Sequence, residues 1–417
     1  MSAPATTQAR SILALRRNVA FDVVVATGYG LTATVALSLI PTIARQAGLD
    51  PIGLAVMAAA PFVGNLLSAF AGRVGPQGIR GFAVLRIVGA LLLLGVAFAP
   101  SAGLIVIAVG VFHLCLSFST PFQTRLWGSM YPNDVRARVI GVLGTARSAA
   151  AGIAAVAVGA MADQFGVPLA VTLAGLVGAG CAAAAFGLRA GQPMATRRFS
   201  PGEAVQTLTS RPKLARLVLA QGFFGAGIVA SVPLLALVNV DRLHLTLADV
   251  GMLAVLGGIA TTASYVAWGG LVDRFGHPLA LRAGAAFGVV SVALVAVAPG
   301  WSVMALASIA GGLSAAAMDI GIQGALAAHT PLADRAAAMA GWNSLTGLRG
   351  VIAAMLAGVL VQAGIVDVTS ALLLCLVPAV IGLAIYLGLP VPAIATRMRG
   401  AAARARRAVA EAGPAGA

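Results

Sequence analysis

Twelve apolar stretches, each about as long as a helix must be to cross a bilayer, dominate this 417-residue chain. A hydrocarbon core of ~30 Å needs roughly 20 apolar residues at 1.5 Å rise each. The stretches fall at 20–44, 52–72, 82–100, 102–124, 139–162 and 167–188, then at 215–239, 249–271, 279–298, 302–326, 337–362 and 368–389. Turn-formers separate them, among them Pro100-Ser101, Asp163-Gln164-Phe165-Gly166 and Pro299-Gly300. The runs lack the period-2 alternation of barrel strands and are rich in Ala, Leu and Gly, so each predicts a helix. A soluble reading fails on charge. Only 9% of residues are charged and the mean hydropathy is +0.98, whereas a soluble domain needs about a quarter charged residues to solvate its surface. The 51 glycines are suited to close helix approach in lipid.

The net charge of +15 raises the question of nucleic acid, and its distribution answers it. With a cytoplasmic N-terminus, the outward loops hold only Arg45 and Arg242 among 27 basic residues, together with Asp50, Asp163, Asp241, Asp249 and Asp367. That is the positive-inside bias, and it leaves no basic patch on a soluble surface. The expectation is a multi-pass protein of the cytoplasmic membrane with both termini inside, a lipid bilayer as solvent and no nucleic-acid partner. The first apolar run is too long for a cleaved signal and reads as a retained anchor. Cys115, Cys181 and Cys375 all fall in spans and read as packing residues, with neither disulfide nor metal expected, and no cofactor motif appears.

The chain divides into an N-terminal six-helix bundle (1–188), a cytoplasmic linker (189–214), a C-terminal six-helix bundle (215–390) and a basic tail (391–417). The fold class is all-α integral membrane, twelve transmembrane helices in two pseudo-symmetric bundles. The halves repeat. Ala71-Gly72-Arg73-Val74-Gly75 follows span 2, and Val272-Asp273-Arg274-Phe275-Gly276 follows span 8. Pro132-Asn133-Asp134-Val135-Arg136 follows span 4, and Pro331-Leu332-Ala333-Asp334-Arg335 follows span 10. Parallel six-span repeats are one of the transporter architectures.

The run Gly269-Gly270-Leu271-Val272-Asp273-Arg274-Phe275-Gly276-His277 resembles the signature loop of the major facilitator superfamily: Gly, three residues, Asp-Arg, one residue, Gly, then a basic residue. The Pro-x-x-x-Arg loops are also similar to that superfamily's. The resemblance implies a secondary transporter with a central cavity between the halves, lined by spans 1, 4, 7 and 10. It also implies a cytoplasmic gate carried by Gly269, Asp273, Arg274 and Gly276, with Asp273 meeting the start of span 5. The sequence departs from the pattern at Gly72, where the family has Asp. Span 5 lacks a Gly-Pro antiporter motif, and span 4 carries His113 where several subfamilies keep an arginine. Leu39-Ile40-Pro41-Thr42-Ile43-Ala44 is similar to a stretch of efflux members.

Ionisable groups within spans cost several kcal/mol unless paired or wetted, so each is a functional candidate. Asp319 lies about seven residues, roughly 10 Å, from the inner end of span 10. It is either a proton-coupling carboxylate or the static partner of Arg349 on span 11. Arg349 correspondingly either binds an anionic substrate or neutralises Asp319. Arg147 is shallower and can snorkel, and its alternatives are a gate pair with Asp22 or Asp273, or a substrate contact. His113 is a second proton carrier or a hydrogen-bonded packing residue. The expected partners are a small organic solute and protons, acting on a monomer, with export preferred to uptake. A membrane enzyme would need a metal-spaced His pair or a nucleophile elbow, and His113, His244, His277 and His329 are scattered. A sensor would need a sizeable soluble domain.

Overall fold

The computed structural model describes residues 5–67, 78–99, 101–189, 201–331 and 334–388. The elements of this region are all helical. Eleven helices are long and apolar enough to span a bilayer: α1 (Leu13–Gln46), α3 (Ile79–Ala97), α4 (Ala102–Met130), α5 (Arg138–Phe165), α6 (Val167–Gly187), α7 (Pro212–Arg242), α8 (Leu247–Phe275), α9 (His277–Val297), α10 (Trp301–His329), α11 (Ala337–Gln362) and α12 (Val368–Leu387). The shorter apolar helix α2 (Pro51–Leu67) occupies the remaining predicted span. The predicted end of that span, and the Ala71–Gly75 loop, lie outside the described residues. The chain is thus a multi-pass membrane protein whose helices run from turn to turn and exceed the predicted spans at many of their ends.

Local sequence explains the irregularities. Pro41 has no amide to return to the carbonyl four residues back, and the turn just before it, Val35–Leu39, widens to π geometry. Gly166 and Gly276 take positive φ, 90° and 80°, and each is followed by a helix with Pro in its first turn. Thr246 and Asp249 form a reciprocal capping box at the start of α8.

Within the first six helices α1 packs on α5, and α3 on α4 and α6; within the last six α7 packs on α12 and α11, and α9 on α10. The halves meet along α2–α11 and α5–α8. Small residues permit this approach. Gly251 lies against the carbonyl of Ala155, and Gly159 against that of Leu247. A Cβ at either would collide with backbone, so α5 and α8 touch through their main chains here.

These contacts sit at the face opposite the linker, the far face. There Arg45 donates through Nε to both carboxylate oxygens of Asp241 at 3.0 Å, joining α1 to α7. A second contact brings Asp163, near the end of α5, to the first turn of α8. Its Oδ2 accepts from the Ala248 amide at 2.7 Å and its Oδ1 from that of Leu247 at 3.2 Å. At the linker face the geometry differs. Asp273, Arg274 and Phe275 are exposed, and open space surrounds the Cβ positions of Gly269 and Gly270. The α5–α8 pair is closed at its far end and free at its linker end.

The repeated Pro-x-x-x-Arg loops have one geometry. Arg136 donates to the carbonyls of Gly128 and Tyr131, the residues eight and five before it. Arg335 donates to those of Ala327 and Thr330, again eight and five before it. Each arginine clamps the carbonyls that its preceding helix leaves without amide partners.

Candidate functional site

The site lies where α7, α8, α10 and α11 converge. Ala315, Asp319 and Gln323 recur every fourth residue of α10 and share one face. Asp319 accepts from the Tyr265 hydroxyl at 2.8 Å and from Nε2 of Gln323 at 2.8 Å. Its side chain is nevertheless exposed, so the carboxylate is oriented by two donors and still open to exchange. Tyr265 comes from α8, so acid and phenol meet across two helices of the second half.

The Asp319–Arg349 pair, the static alternative for Asp319, does not form among the described residues. Among the described residues the ion pairs are Arg45–Asp241 and Arg211–Asp334. Arg349 turns the other way, toward α7. It lies against Gly225, which has no side chain to obstruct it, and its Nη1 donates to the Gln221 carbonyl at 2.6 Å. Its Nε is buried and has no partner. This guanidinium forms the inner end of a cavity of about 320 Å³ between α7, α9, α10 and α11. Val232 and Ala315 are exposed and stand at the mouth of that cavity, and Ala315 is one helical turn from Asp319 on α10.

The other candidates separate from this centre. Asp22 is 1% exposed and accepts from Trp127 Nε1 at 2.7 Å and from the Tyr131 hydroxyl at 2.9 Å. It therefore ties α1 to α4, and its pairing with Arg147 does not occur. Arg147 instead lies over the Tyr29 ring, with Cζ 5.7 Å from the centroid. His113 is 5% exposed and sits edge-on to Phe112 at 5.1 Å, in the packed interior of the first six helices. Gly269, Asp273, Arg274 and Gly276, the residues expected to form a gate, lie at the linker end of α8 and its turn. Asp273 makes no hydrogen bond or ion pair among the described residues.

Two structural features went unread in the sequence. Arg86 lies inside α3, 5% exposed, and stacks on the ring that also meets Arg147, with Cζ 4.1 Å from the Tyr29 centroid. Its Nη2 donates to Gln123 at 3.1 Å, while Nε and Nη1 are buried without partners. Tyr29 is thus flanked by two guanidinium groups, and a desolvated cation over an aromatic face contributes about 2 kcal/mol. The available signal was an arginine within the apolar stretch 82–100, seven residues from the start of α3. The second feature is that Asp163-Gln164-Phe165-Gly166-Val167-Pro168-Leu169 matches Asp273-Arg274-Phe275-Gly276-His277-Pro278-Leu279 at five of seven positions, on antiparallel helices. Each stretch bends through the same positive-φ glycine, and the Asp163 copy is the one engaged.

Comparison with known proteins agrees with this architecture. Residues 217–411 match the family model described as Major Facilitator Superfamily. A search of curated protein sequences finds no significant match. Solved structures with the same fold include a point mutant of the nucleoside transporter NupG, at TM-score 0.73 and 13% identity, covering 89% of this chain and 99% of that one. A POT family transporter in complex with 5-aminolevulinic acid gives 0.70 and 12%, covering 89% and 95%. A bacterial homolog of the human lysosomal transporter Spinster, inward-facing and unoccupied, gives 0.61 and 14%, covering 90% and 96%. The second half of the chain thus matches the major facilitator superfamily model, and the fold along most of its length is that of these transporter structures.

Proposed function

We propose that the protein is a secondary active transporter that moves a small organic solute across the cytoplasmic membrane by alternating access, coupled to protons. In this reading the units 1–188 and 215–390 rock about α2–α11 and α5–α8, as a monomer with both termini in the cytoplasm. The supporting observation is the asymmetry of the α5–α8 pair. Its far end is latched by Asp163 and its linker end is free, as an inward-open conformer requires. The fold neighbours, which carry nucleosides in one case and bind 5-aminolevulinic acid in another, support a solute of that size. Asp319 is the proposed proton carrier, because it is a carboxylate well inside a span that is both oriented and exposed. Proton-driven export is the proposed direction, on the strength of the Leu39–Ala44 stretch.

The test uses proteoliposomes loaded with a pH-sensitive dye. Nucleosides, 5-aminolevulinic acid and small organic anions are offered as counterflow probes. Wild-type protein should exchange at least one probe and move protons with it. Asp319→Asn should keep exchange and lose the proton movement. Proton-coupled flux that persists in Asp319→Asn would refute the assignment, and the absence of exchange for every probe class would refute the reading as a transporter of such solutes.

A further inference from the structure

We propose that the cavity between α7, α9, α10 and α11 binds an organic anion, with its carboxylate or phosphate on Arg349 and its apolar body along α7 and α9. The proposal deepens the transport reading by naming a substrate class, and its binding test stands apart from flux.

The argument begins with an unbalanced charge. A guanidinium taken out of water is costly unless a carboxylate or phosphate faces it, and removal of such a partner strands the charge. Arg349 lies near the middle of α11, and its one hydrogen bond among the described residues is to a neutral carbonyl, that of Gln221. Asp319 faces α8 and is taken by Tyr265 and Gln323. The Arg349 Nε stays buried without an acceptor. The fold therefore maintains a buried donor for which the described residues provide no counter-ion.

The cavity walls indicate what the counter-ion must be attached to. Three serines line it, and each donates its hydroxyl proton to a backbone carbonyl: Ser231 to Ile228, Ser291 to Ala307 and Ser314 to Gly284. They present lone pairs and no donor. Gln221 accepts at Oε1 from Tyr386 and keeps its amide nitrogen as a donor beside Arg349. Among the described residues no acidic side chain lines the cavity. Donors are thus gathered at one end, and the remaining surface is apolar apart from serine oxygens. A volume of about 320 Å³ lies at the small end of pockets that enclose organic ligands. A monoanion with a short aliphatic or aromatic body satisfies both ends. A cation would face Arg349, and a neutral polyol would leave most of its hydroxyls without partners. At the mouth, Ala315 stands one turn from Asp319 on α10, so the same bound anion would lie within range of the proposed proton site.

Binding is measured on the purified full-length protein by thermal shift and tryptophan quenching. The probes are hexanoate, 3-phenylpropionate and phenyl phosphate, each against its neutral counterpart, hexanamide, 3-phenylpropanamide and phenol. At least one anion should give a saturable rise in melting temperature, at least tenfold more potent than its neutral counterpart. Arg349→Gln should remove that preference. Because no carboxylate is left behind by the change, this variant should melt no lower than wild type without ligand. Ala315→Phe, which fills the exposed mouth and leaves Arg349 in place, should weaken the anion response at least tenfold. An equal response to the neutral counterparts, an unchanged anion response in both variants, or no response to any anion overturns the proposal. If anion binding fails while proteoliposomes still exchange a nucleoside, the transport reading survives and only the substrate class falls.

Discussion

Substitution of Asp163 by Asn removes one charge from a helix end and should open the far face. In the wild-type protein both carboxylate oxygens accept backbone amides of the first turn of α8. The asparagine carbonyl can keep one of these bonds. The lost bond contributes about 1 kcal/mol. The lost charge at the helix N-terminus contributes about 0.3–1 kcal/mol, with the lower part favoured by the exposure of the site. The sum, about 1–2 kcal/mol, should reduce the ratio of far-closed to far-open molecules roughly 5- to 30-fold. Asp163→Ala loses both bonds and should shift the ratio further in the same direction. Spin labels at Gln46 and Ile365, exposed far-face positions in opposite halves, would report the populations as a distance distribution. The expected result is growth of a longer-distance peak, graded from Asn to Ala. Unchanged distributions in both variants would refute the latch, whatever happened to flux.

Other outcomes test the remaining assignments. Single cysteines at Ser101 and Gly300 should label from outside with an impermeant thiol reagent, while one at Gln206 should not; the reverse pattern would invert the topology. Asp319→Asn should melt within about 0.5 kcal/mol of wild type, because its partners are polar and its side chain is exposed; a loss of about 3–5 kcal/mol would restore the static ion pair. Arg136→Ala and Arg335→Ala should each destabilise by about 1–2 kcal/mol by releasing clamped carbonyls, and Lys, which lacks the planar fork, should not restore either loss. Equal stability of Arg→Ala and wild type at both loops would show that the repeated clamp contributes nothing.

The helices were legible because a span imposes a length and a composition that few other structures demand. The repeat was legible through its loops, where Arg136 and Arg335 clamp equivalent carbonyls. The pairing of Asp319 was not. Depth along a helix follows directly from position in the chain, and Asp319 and Arg349 are indeed both well inside their spans. Azimuth is another matter: at 3.6 residues per turn, a rotation by one residue moves a side chain about 100° round the axis. Asp319 faces α8 and Arg349 faces α7, a difference that depth cannot reveal. Arg86 was missed for a related reason, since seven residues from a helix end can mean either snorkelling or full burial against Tyr29. The Asp163 stretch reads as a turn until the start of α8 is placed opposite it.

The duplicated Asp-x-Phe-Gly-x-Pro stretch has a thermodynamic consequence. Its copies lie at opposite ends of two antiparallel helices, so rigid rods that close at one end must part at the other. Asp163 is engaged and Asp273 is free, and in the opposite conformer the resemblance puts Asp273 on the start of α5. If Asp273 makes that matching contact, the two carboxylates contribute nearly equal and opposing amounts, and the equilibrium constant between conformers stays near one. A transporter so poised needs only about 1–2 kcal/mol of differential ligand affinity, ~5- to 30-fold, to reverse its preference. The double variant Asp163→Asn, Asp273→Asn should accordingly regain a balance that either single change destroys, with faster interconversion because both end states have lost their latch.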